Sequence, residues 1–389
     1  MQSTTPSTTQ QWAGIRMQAL VAIIFFAGAS YMIGYLLFYS VFPADDAYIH
    51  MRIAKHMALY GQPYFNLDQQ VASSSSPLWL LLLSTLFMLG GANPLLLPPL
   101  SIVITLALFA VLSMVFSRYA HPAGATAGAA LAMILGPLAT AALQMETPLA
   151  LLLWALSLLL LDRKRFPAAG VCAALAACTR YEMGLWLILA GLAVPGLHER
   201  IRFGFGAAPV MAALAGFNLY YFGSLLPNTI RAKSIIYELQ FSESVAGTGF
   251  LFGPWLFVGL LAIGFGLAIG LIRDHTRRFT GVGLLFGILL LALYTGRNTF
   301  LFPWYIPLFY LPIMAGIFGV LAASARRQQL IALLVAILLL WHPNSLMLNE
   351  ATGVLTGNRM GFREAAPGYV SIATLKSEQC CIAIIPTHL

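Results

Sequence analysis

Charge is scarce in this sequence. Asp, Glu, Lys and Arg together make up only 9% of its 389 residues, whereas 60% are hydrophobic. A soluble globular protein carries roughly a quarter charged residues, so this chain cannot build a surface that water solvates. Apolar runs near the ~20 residues needed to cross a bilayer recur along it instead. The composition excludes a soluble protein and predicts an all-α polytopic membrane protein surrounded by membrane lipid.

Cysteine is scarce as well. Two of the four cysteines, Cys172 and Cys178, lie within an apolar run, and Cys380 and Cys381 are adjacent near the end. This spacing fits neither a metal-ligand pattern nor a secreted disulfide framework. The net charge of +8 could suggest nucleic acid, but the basic residues are scattered singly or in twos and threes between apolar runs. We therefore expect no nucleic-acid partner.

The apolar runs and their charged boundaries predict eleven membrane-spanning helices in a transmembrane domain over 1–341, followed by a short extracytoplasmic tail over 342–389. The segment 77–90 is apolar but short and begins with Pro77, so we expect a re-entrant or interfacial helix there. The predicted spans are 17–42, 94–117, 125–143, 147–161, 166–179, 183–197, 205–222, 250–272, 281–296, 303–323 and 330–341.

The charged loops predict the orientation. If 77–90 does not cross, the N-terminus is cytoplasmic and more than half of the basic residues fall in short inside loops, as the positive-inside rule requires. Most acids gather outside, in a first extracytoplasmic loop over 43–90, in short turns at Glu146 and Glu182, in the loop 223–249 and in the tail, and the turn at Arg297 also falls outside. We therefore expect a membrane protein whose chemistry faces away from the cytoplasm.

Two adjacent carboxylates, Asp45 and Asp46, begin the first outside loop. Burial and mutual repulsion would raise the pKa of one of them, which suits a general base. The pair could instead hold a divalent cation such as Mg, Mn or Ca. A purely structural alternative is helix capping, with Asp45 as the N-cap and Asp46 favoured by the helix dipole. The spacing alone leaves the three readings open.

The rest of this loop carries a family resemblance. After Asp45-Asp46-Ala47-Tyr48-Ile49 come Gly61-Gln62-Pro63-Tyr64-Phe65-Asn66 and then Ser75-Ser76-Pro77-Leu78-Trp79. This order resembles the first extracytoplasmic loop of the GT-C superfamily of membrane glycosyltransferases. The closest likeness is to polyprenyl-phosphate-sugar-dependent enzymes such as the bacterial arabinofuranosyltransferases of cell walls and pilins.

Further matches follow in the family's order and extend the likeness from about residue 40 to 310. The turn Met145-Glu146-Thr147 is similar to the family's Gly-Met-Glu-Thr, with Gln144 where Gly is usual. Three later stretches resemble its Thr-Arg-Pro-Glu, its Leu-Pro-Asn-Thr with a trailing Lys, and an aromatic turn. These are Thr179-Arg180-Tyr181-Glu182, Leu226-Pro227-Asn228-Thr229 with Lys233, and Phe302-Pro303-Trp304-Tyr305. The charge distribution independently predicts all of these motifs on the outside face.

The resemblance implies a GT-C-like helical bundle that moves a sugar, arabinofuranose in the nearest likeness, from a polyprenyl-phosphate donor to an extracytoplasmic glycan or protein. A single displacement would invert the anomeric configuration, with Asp45 or Asp46 as the general base. Cations at the outside ends of spans would hold the donor phosphate, with contact to lipid head groups as the alternative. The predicted phosphate-binding residues are Arg180, Arg231, Lys233 and Arg297.

Other polar and aromatic residues of the outside turns are predicted to bind or orient the substrates, with structural packing and an interfacial aromatic belt as the alternatives. They are Tyr48, His50, Arg52, Glu146, Glu182, Asn228, Trp304 and Tyr305. Two other functions compete. A transporter or flippase of lipid-linked or anionic solutes predicts ionisable residues at mid-bilayer and an internal repeat. A silent scaffold predicts that Asp45 and Asp46 are dispensable.

Overall fold

The computed structural model describes residues 45–118, 144–225, 242, 245, 254–297 and 303–321. Every regular element in these ranges is helical, and three short 3₁₀ turns, Pro94–Leu96, Tyr181–Met183 and Pro303–Tyr305, lead into longer helices. The α-helices are α1 (Asp45–Tyr60), α2 (Pro77–Gly90), α3 (Leu97–Phe116), α4 (Thr147–Asp162), α5 (Phe166–Thr179), α6 (Gly184–Ala193), α7 (Leu197–Phe222), α8 (Pro254–Arg273), α9 (Arg278–Gly296) and α10 (Ile306–Leu321).

Four helical stretches in the described part are long and apolar enough to cross a bilayer: Pro94–Phe116, Leu197–Phe222, Pro254–Arg273 and Arg278–Gly296. They confirm a helical membrane protein. Other apolar helices are shorter, and the 16 residues of α4 extend only about 24 Å against a hydrocarbon core of about 30 Å. The predicted count of eleven spans is therefore not confirmed. The predicted spans 17–42, 125–143 and 330–341, and the tail, lie outside the described residues.

One predicted boundary is wrong. We expected separate spans over 183–197 and 205–222, but α6 ends at Ala193 and α7 already begins at Leu197. Pro195 and Gly196 break the chain between them, and Gly196 takes a positive φ of 77° that favours glycine. The expected inside loop is therefore the first two turns of α7. In contrast, α2 covers 77–90 as predicted, with Pro77 in its first turn.

The helices that carry the outside turns are packed at close range through glycine. A Cβ atom on Gly170 of α5 would collide with the backbone oxygen of Phe203 in α7, and one on Gly206 would collide with that of Pro167. Small residues of this kind let membrane helices approach until their backbones touch. Gly287 and Gly316 play the same part between α9 and α10. This packing fixes the relative positions of the helix ends.

The turns pair as the charge distribution predicts. Arg118 and Asp162, both expected inside, lie 3.3 Å apart and join the ends of α3 and α4. Tyr64 and Tyr221, both expected outside, are joined by a 3.0 Å hydrogen bond from the Tyr64 hydroxyl to the Tyr221 backbone oxygen. Among the described residues, neither pair contacts a turn expected at the other end of the bundle. The bundle therefore has two polar ends.

Candidate functional site

Helix α1 carries the acid pair into the site. Asp45 and Asp46 lie in its first described turn, where the helix dipole stabilises carboxylate charge. Asp46 is half-buried. His50 follows Asp46 by four residues, so the two lie on the same face of the helix, about 6 Å apart along its axis. Asp46 and His50 therefore face the same part of the bundle.

Arg180 is the centre of a buried polar network. It caps α5 in an extended conformation, and its side chain is only 1% exposed. Its Nη1 donates to Glu146 Oε1 at 2.7 Å, and its Nη2 donates to Glu182 Oε1 at 3.2 Å. The guanidinium also lies over the ring of Tyr305, 4.2 Å from its centroid. Two turns that are expected outside and the turn that leads into α10 are thus held by one side chain.

These contacts fix the charge states of the network. Burial by itself would raise the pKa of Glu146, but the neighbouring Arg180 guanidinium and the contact with His50 outweigh it and lower the pKa to about 2. Burial by itself would also raise the pKa of Glu182, but the Arg180 guanidinium together with the hydrogen bonds to this carboxylate lowers the pKa below its usual value. Burial would lower the pKa of Arg180, yet Glu182 and Glu146 hold it well above its usual range. All three groups are therefore ionised near neutral pH.

Two residues that the sequence analysis did not single out complete the network. The hydroxyl of Tyr294, near the end of α9, donates to Glu182 Oε1 at 3.0 Å. The Thr147 hydroxyl, at the start of α4, donates to the backbone oxygen of Trp304 at 2.9 Å. Thr147 belongs to the Met145-Glu146-Thr147 motif of the sequence analysis. For Tyr294 the only sequence signal was an aromatic residue near the expected outside end of a span. Both tie the network to the later helices.

His50 connects α1 and the end of the first loop to this network. Its Nε2 lies 3.4 Å from Glu146 Oε2, and its Nδ1 lies 3.2 Å from the hydroxyl oxygen of Ser74. That oxygen also accepts a hydrogen bond from the backbone N–H of Ser76 at 3.1 Å. Because the Ser74 oxygen already accepts this N–H, its hydroxyl is placed to donate to Nδ1, and Nε2 is the ring nitrogen that faces Glu146. Helix α1 is thereby fastened to the buried carboxylate.

Arg52 holds the 61–66 stretch of the first loop against α1. Its Nε donates to the backbone oxygen of Phe65 at 3.0 Å, and its guanidinium lies 4.5 Å from the centre of the Phe65 ring. His56, one turn further on, contacts the backbone oxygen of Tyr64 at 2.8 Å. These bonds fold the 61–66 stretch back onto α1. In this structure Arg52 shapes the loop, and it contacts no other predicted site residue among those described.

The remaining predicted residues divide into two groups. Tyr48 is half-buried on α1, Trp304 and Tyr305 are buried at the network, and Arg297 is exposed just beyond the end of α9. Asn228, Arg231, Lys233 and the Asp45 side chain lie outside the described part. Where the structure describes the chain, no three His, Cys, Asp or Glu side chains group as metal ligands. A cation on the Asp45 and Asp46 pair stays a hypothesis.

The carboxylates of Glu146 and Glu182 together carry one more charge than the single guanidinium of Arg180 that pairs with them. Both terminal nitrogens of Arg180 already donate to carboxylates, and its Nε has no hydrogen-bond partner among the described residues. The site thus offers a rigid, charged framework next to an acidic helix end.

The chain matches no protein-family profile, no curated protein and no solved structure at a significant level.

Proposed function

We propose that this chain is a GT-C-type glycosyltransferase that moves a sugar from a polyprenyl-phosphate donor to a hydroxyl of an extracytoplasmic glycan or protein. One observation carries the proposal. Helix α1 and the turns that hold Glu146, Arg180 and Tyr305 are far apart in the sequence, yet they meet in one buried network. Aromatic and charged residues that served only as interfacial anchors would be spread around the bundle.

The proposed chemistry needs one base. Asp46 is the stronger candidate because it is half-buried and shares a face of α1 with His50. It would accept the acceptor's hydroxyl proton as that oxygen attacks the anomeric carbon. The bond from the anomeric carbon to the phosphate oxygen breaks in the same step, polyprenyl phosphate leaves, and the anomeric configuration inverts. Asp45 then contributes charge at the helix end.

The buried network would position the parts of the site. Removing the contact between His50 and Glu146 would free α1 from the turns that follow, and effective catalysis depends on reacting groups being held in place. Arg180 serves this framework through Glu146 and Glu182. The positive charge for the donor phosphate would then come from exposed Arg297 and from Arg231 and Lys233.

The test uses purified full-length protein with a polyprenyl-phosphate arabinofuranose donor and an envelope extract as acceptor. Release of polyprenyl phosphate and labelled product should fall at least about a hundredfold in Asp46→Asn, since general bases contribute about that much or more. Asp68→Asn is the matched control, because Asp68 is an exposed acid of the same loop. Its activity should equal that of the wild type.

Each other result has a definite meaning. Loss in Asp45→Asn alone would move the base to Asp45, and full activity in both variants would overturn the mechanism. Movement of intact donor across a liposome membrane without product would favour a transporter or flippase. If this donor is not used, intact-mass comparison of envelope glycans and surface proteins, with and without the gene, identifies the sugar by its mass.

A further inference from the structure

The start of α2 is rich in hydrogen-bond donors that have no acceptor. Pro77 at the first position has no N–H, and no described group accepts from the backbone N–H of Leu78 or Trp79, the next two residues. Ser76 stands at the N-cap, where a serine hydroxyl normally accepts from such an N–H, but it makes no capping bond. This helix end therefore keeps its partial positive charge uncompensated.

Two buried side chains at the same helix end lack partners as well. Ser76 is fully buried, and its hydroxyl has no hydrogen bond within the described structure. The same holds for the indole Nε1 of Trp79, in the first turn. An unpaired buried polar group costs free energy, so such groups are rare without a ligand, an ion or water to satisfy them. Among the described residues, the donors in the first turn of α2 therefore have no hydrogen-bond acceptor.

We propose that the N-terminus of α2 binds the phosphate of the lipid-linked substrate, with the hydroxyl of Ser76, the indole N–H of Trp79 and the N–H groups of Leu78 and Trp79 as donors. Helix N-termini suit phosphate because aligned N–H groups and the dipole favour an anion. There is no acidic residue in the first turn of α2 to repel it. This inference rests on the proposed function for the identity of the substrate.

The position of this helix end also fits. Ser74, two residues before the N-cap, contacts His50, which lies on the same face of α1 as Asp46. A short hydrogen-bonded link, from Ser76 through Ser74 to His50, therefore joins the proposed phosphate site to the face of α1 that carries the proposed base. Arg180 is a poorer phosphate ligand, since both of its terminal nitrogens already bond to carboxylates. Uncharged donors on α2 would complement the cations proposed above.

The experiment measures binding without turnover. Inorganic phosphate, undecaprenyl phosphate and the corresponding polyprenol, which lacks phosphate, are titrated against full-length protein in a maltoside detergent, and Kd is taken from the rise in unfolding temperature. Undecaprenyl phosphate should bind about tenfold more weakly to Ser76→Ala, since a hydrogen bond to a charged group is lost. Trp79→Phe should behave similarly, and polyprenol should bind all variants alike.

Ser76→Ala is a favourable probe because it removes a hydroxyl that has no partner, so its unfolding temperature without ligand should not fall. Ser101→Ala is the matched control. Ser101 is also buried with an unpartnered hydroxyl, but it lies on α3. Its affinity for both phosphates should be unchanged. If either serine variant folds poorly, Trp79→Phe provides an independent test of phosphate binding at this helix end.

The outcomes separate this site from the function. Equal phosphate binding by the wild type, Ser76→Ala and Trp79→Phe would overturn the site, as would no phosphate-dependent binding in the wild type. If Ser76→Ala weakens the binding of inorganic phosphate as well, the site also takes free phosphate. If Ser76→Ala weakens only the binding of undecaprenyl phosphate, the site is specific for the lipid-linked phosphate. If phosphate binding depends on Ser76 but the protein shows no transferase activity, the phosphate site stands and the proposed function is rejected.

Discussion

The guanidinium of Arg180 donates to the carboxylate of Glu146 across 2.7 Å, and both side chains are almost completely buried. A buried ion pair pays a large desolvation cost that its attraction only partly repays, so such pairs seldom raise stability by much. They do enforce a particular arrangement, because any other places a charge without its partner. In this chain the pair fixes the turn before α4 against the end of α5.

Removing Arg180 should therefore be severe. Arg180→Ala would leave the buried carboxylate of Glu146 and the partly buried one of Glu182 uncompensated, and breaking a buried pair costs on the order of 3–5 kcal/mol. We expect a large drop in folded yield and in unfolding temperature, measured by fluorescence-detected size exclusion in detergent. Arg277→Ala is the control, since Arg277 pairs with Asp274 in a solvent-accessible turn. A mild effect at Arg180, equal to that at Arg277, would contradict a structural role for the network.

Acid should weaken the fold through Glu146. Its pKa in the folded protein, about 2, lies below the ordinary value of 4.5 because Arg180 and His50 outweigh the effect of burial. A depressed carboxylate pKa stabilises the fold fully above pH 4.5, and the contribution is lost as the pH falls from 4.5 towards 2. The unfolding temperatures of the wild type and Glu146→Gln should thus converge over this range. A constant difference there would contradict the assigned charge state.

Sequence reasoning recovered the helical membrane class and the start of several helices because proline and hydropathy act locally. Pro77 begins α2 where expected, and α9 covers the whole of the predicted 281–296 span and begins three residues before it. The misplaced boundary between α6 and α7 has a local cause too. The charges of Glu199, Arg200 and Arg202 predicted a loop, yet these residues lie in the first two turns of α7, which begins at Leu197. Charged residues are tolerated at a helix end near the membrane interface.

The site was harder to predict in detail. The order of the motifs identified Glu146, Arg180 and Glu182 as site residues. Their pairing with one another depends on the packing of α4, α5 and α9, which no local sequence pattern encodes. For the same reason Arg180 was expected to face a phosphate, whereas its nitrogens contact carboxylates. Tyr294 was missed because one hydroxyl in an apolar helix carries no sequence signal. Residue types were thus predictable, and their partners were not.

The crossing of α5 and α7 should tolerate no side chain at its closest point. Gly206→Ala would press a Cβ against the backbone oxygen of Pro167, and neither helix can yield without moving its neighbour. We expect a loss of about 3 kcal/mol or more, the upper range for overpacking. Gly216→Ala is the matched control on the same helix, since its Cβ would meet nothing within 4 Å. Guanidinium or thermal unfolding in detergent gives both values.

The two polar ends of the bundle should lie on opposite sides of the membrane. Gln70, between α1 and α2, and His275, between α8 and α9, are exposed and uncharged, so replacing either by Cys leaves the basic residues that set orientation unchanged. In a background with Cys172, Cys178, Cys380 and Cys381 replaced by serine, a membrane-impermeant maleimide is applied to intact cells made permeable only in the outer envelope.

Gln70→Cys should react at once, and His275→Cys only after detergent opens the cytoplasmic membrane. The reverse pattern would put the acid pair and the buried network on the cytoplasmic side, where an extracytoplasmic acceptor could not reach them. Reaction of both before detergent would mean that the two turns share a side, and the division into inside and outside ends would fail. Orientation decides the class of acceptor, because a hydroxyl can meet Asp46 only on the side where α1 lies.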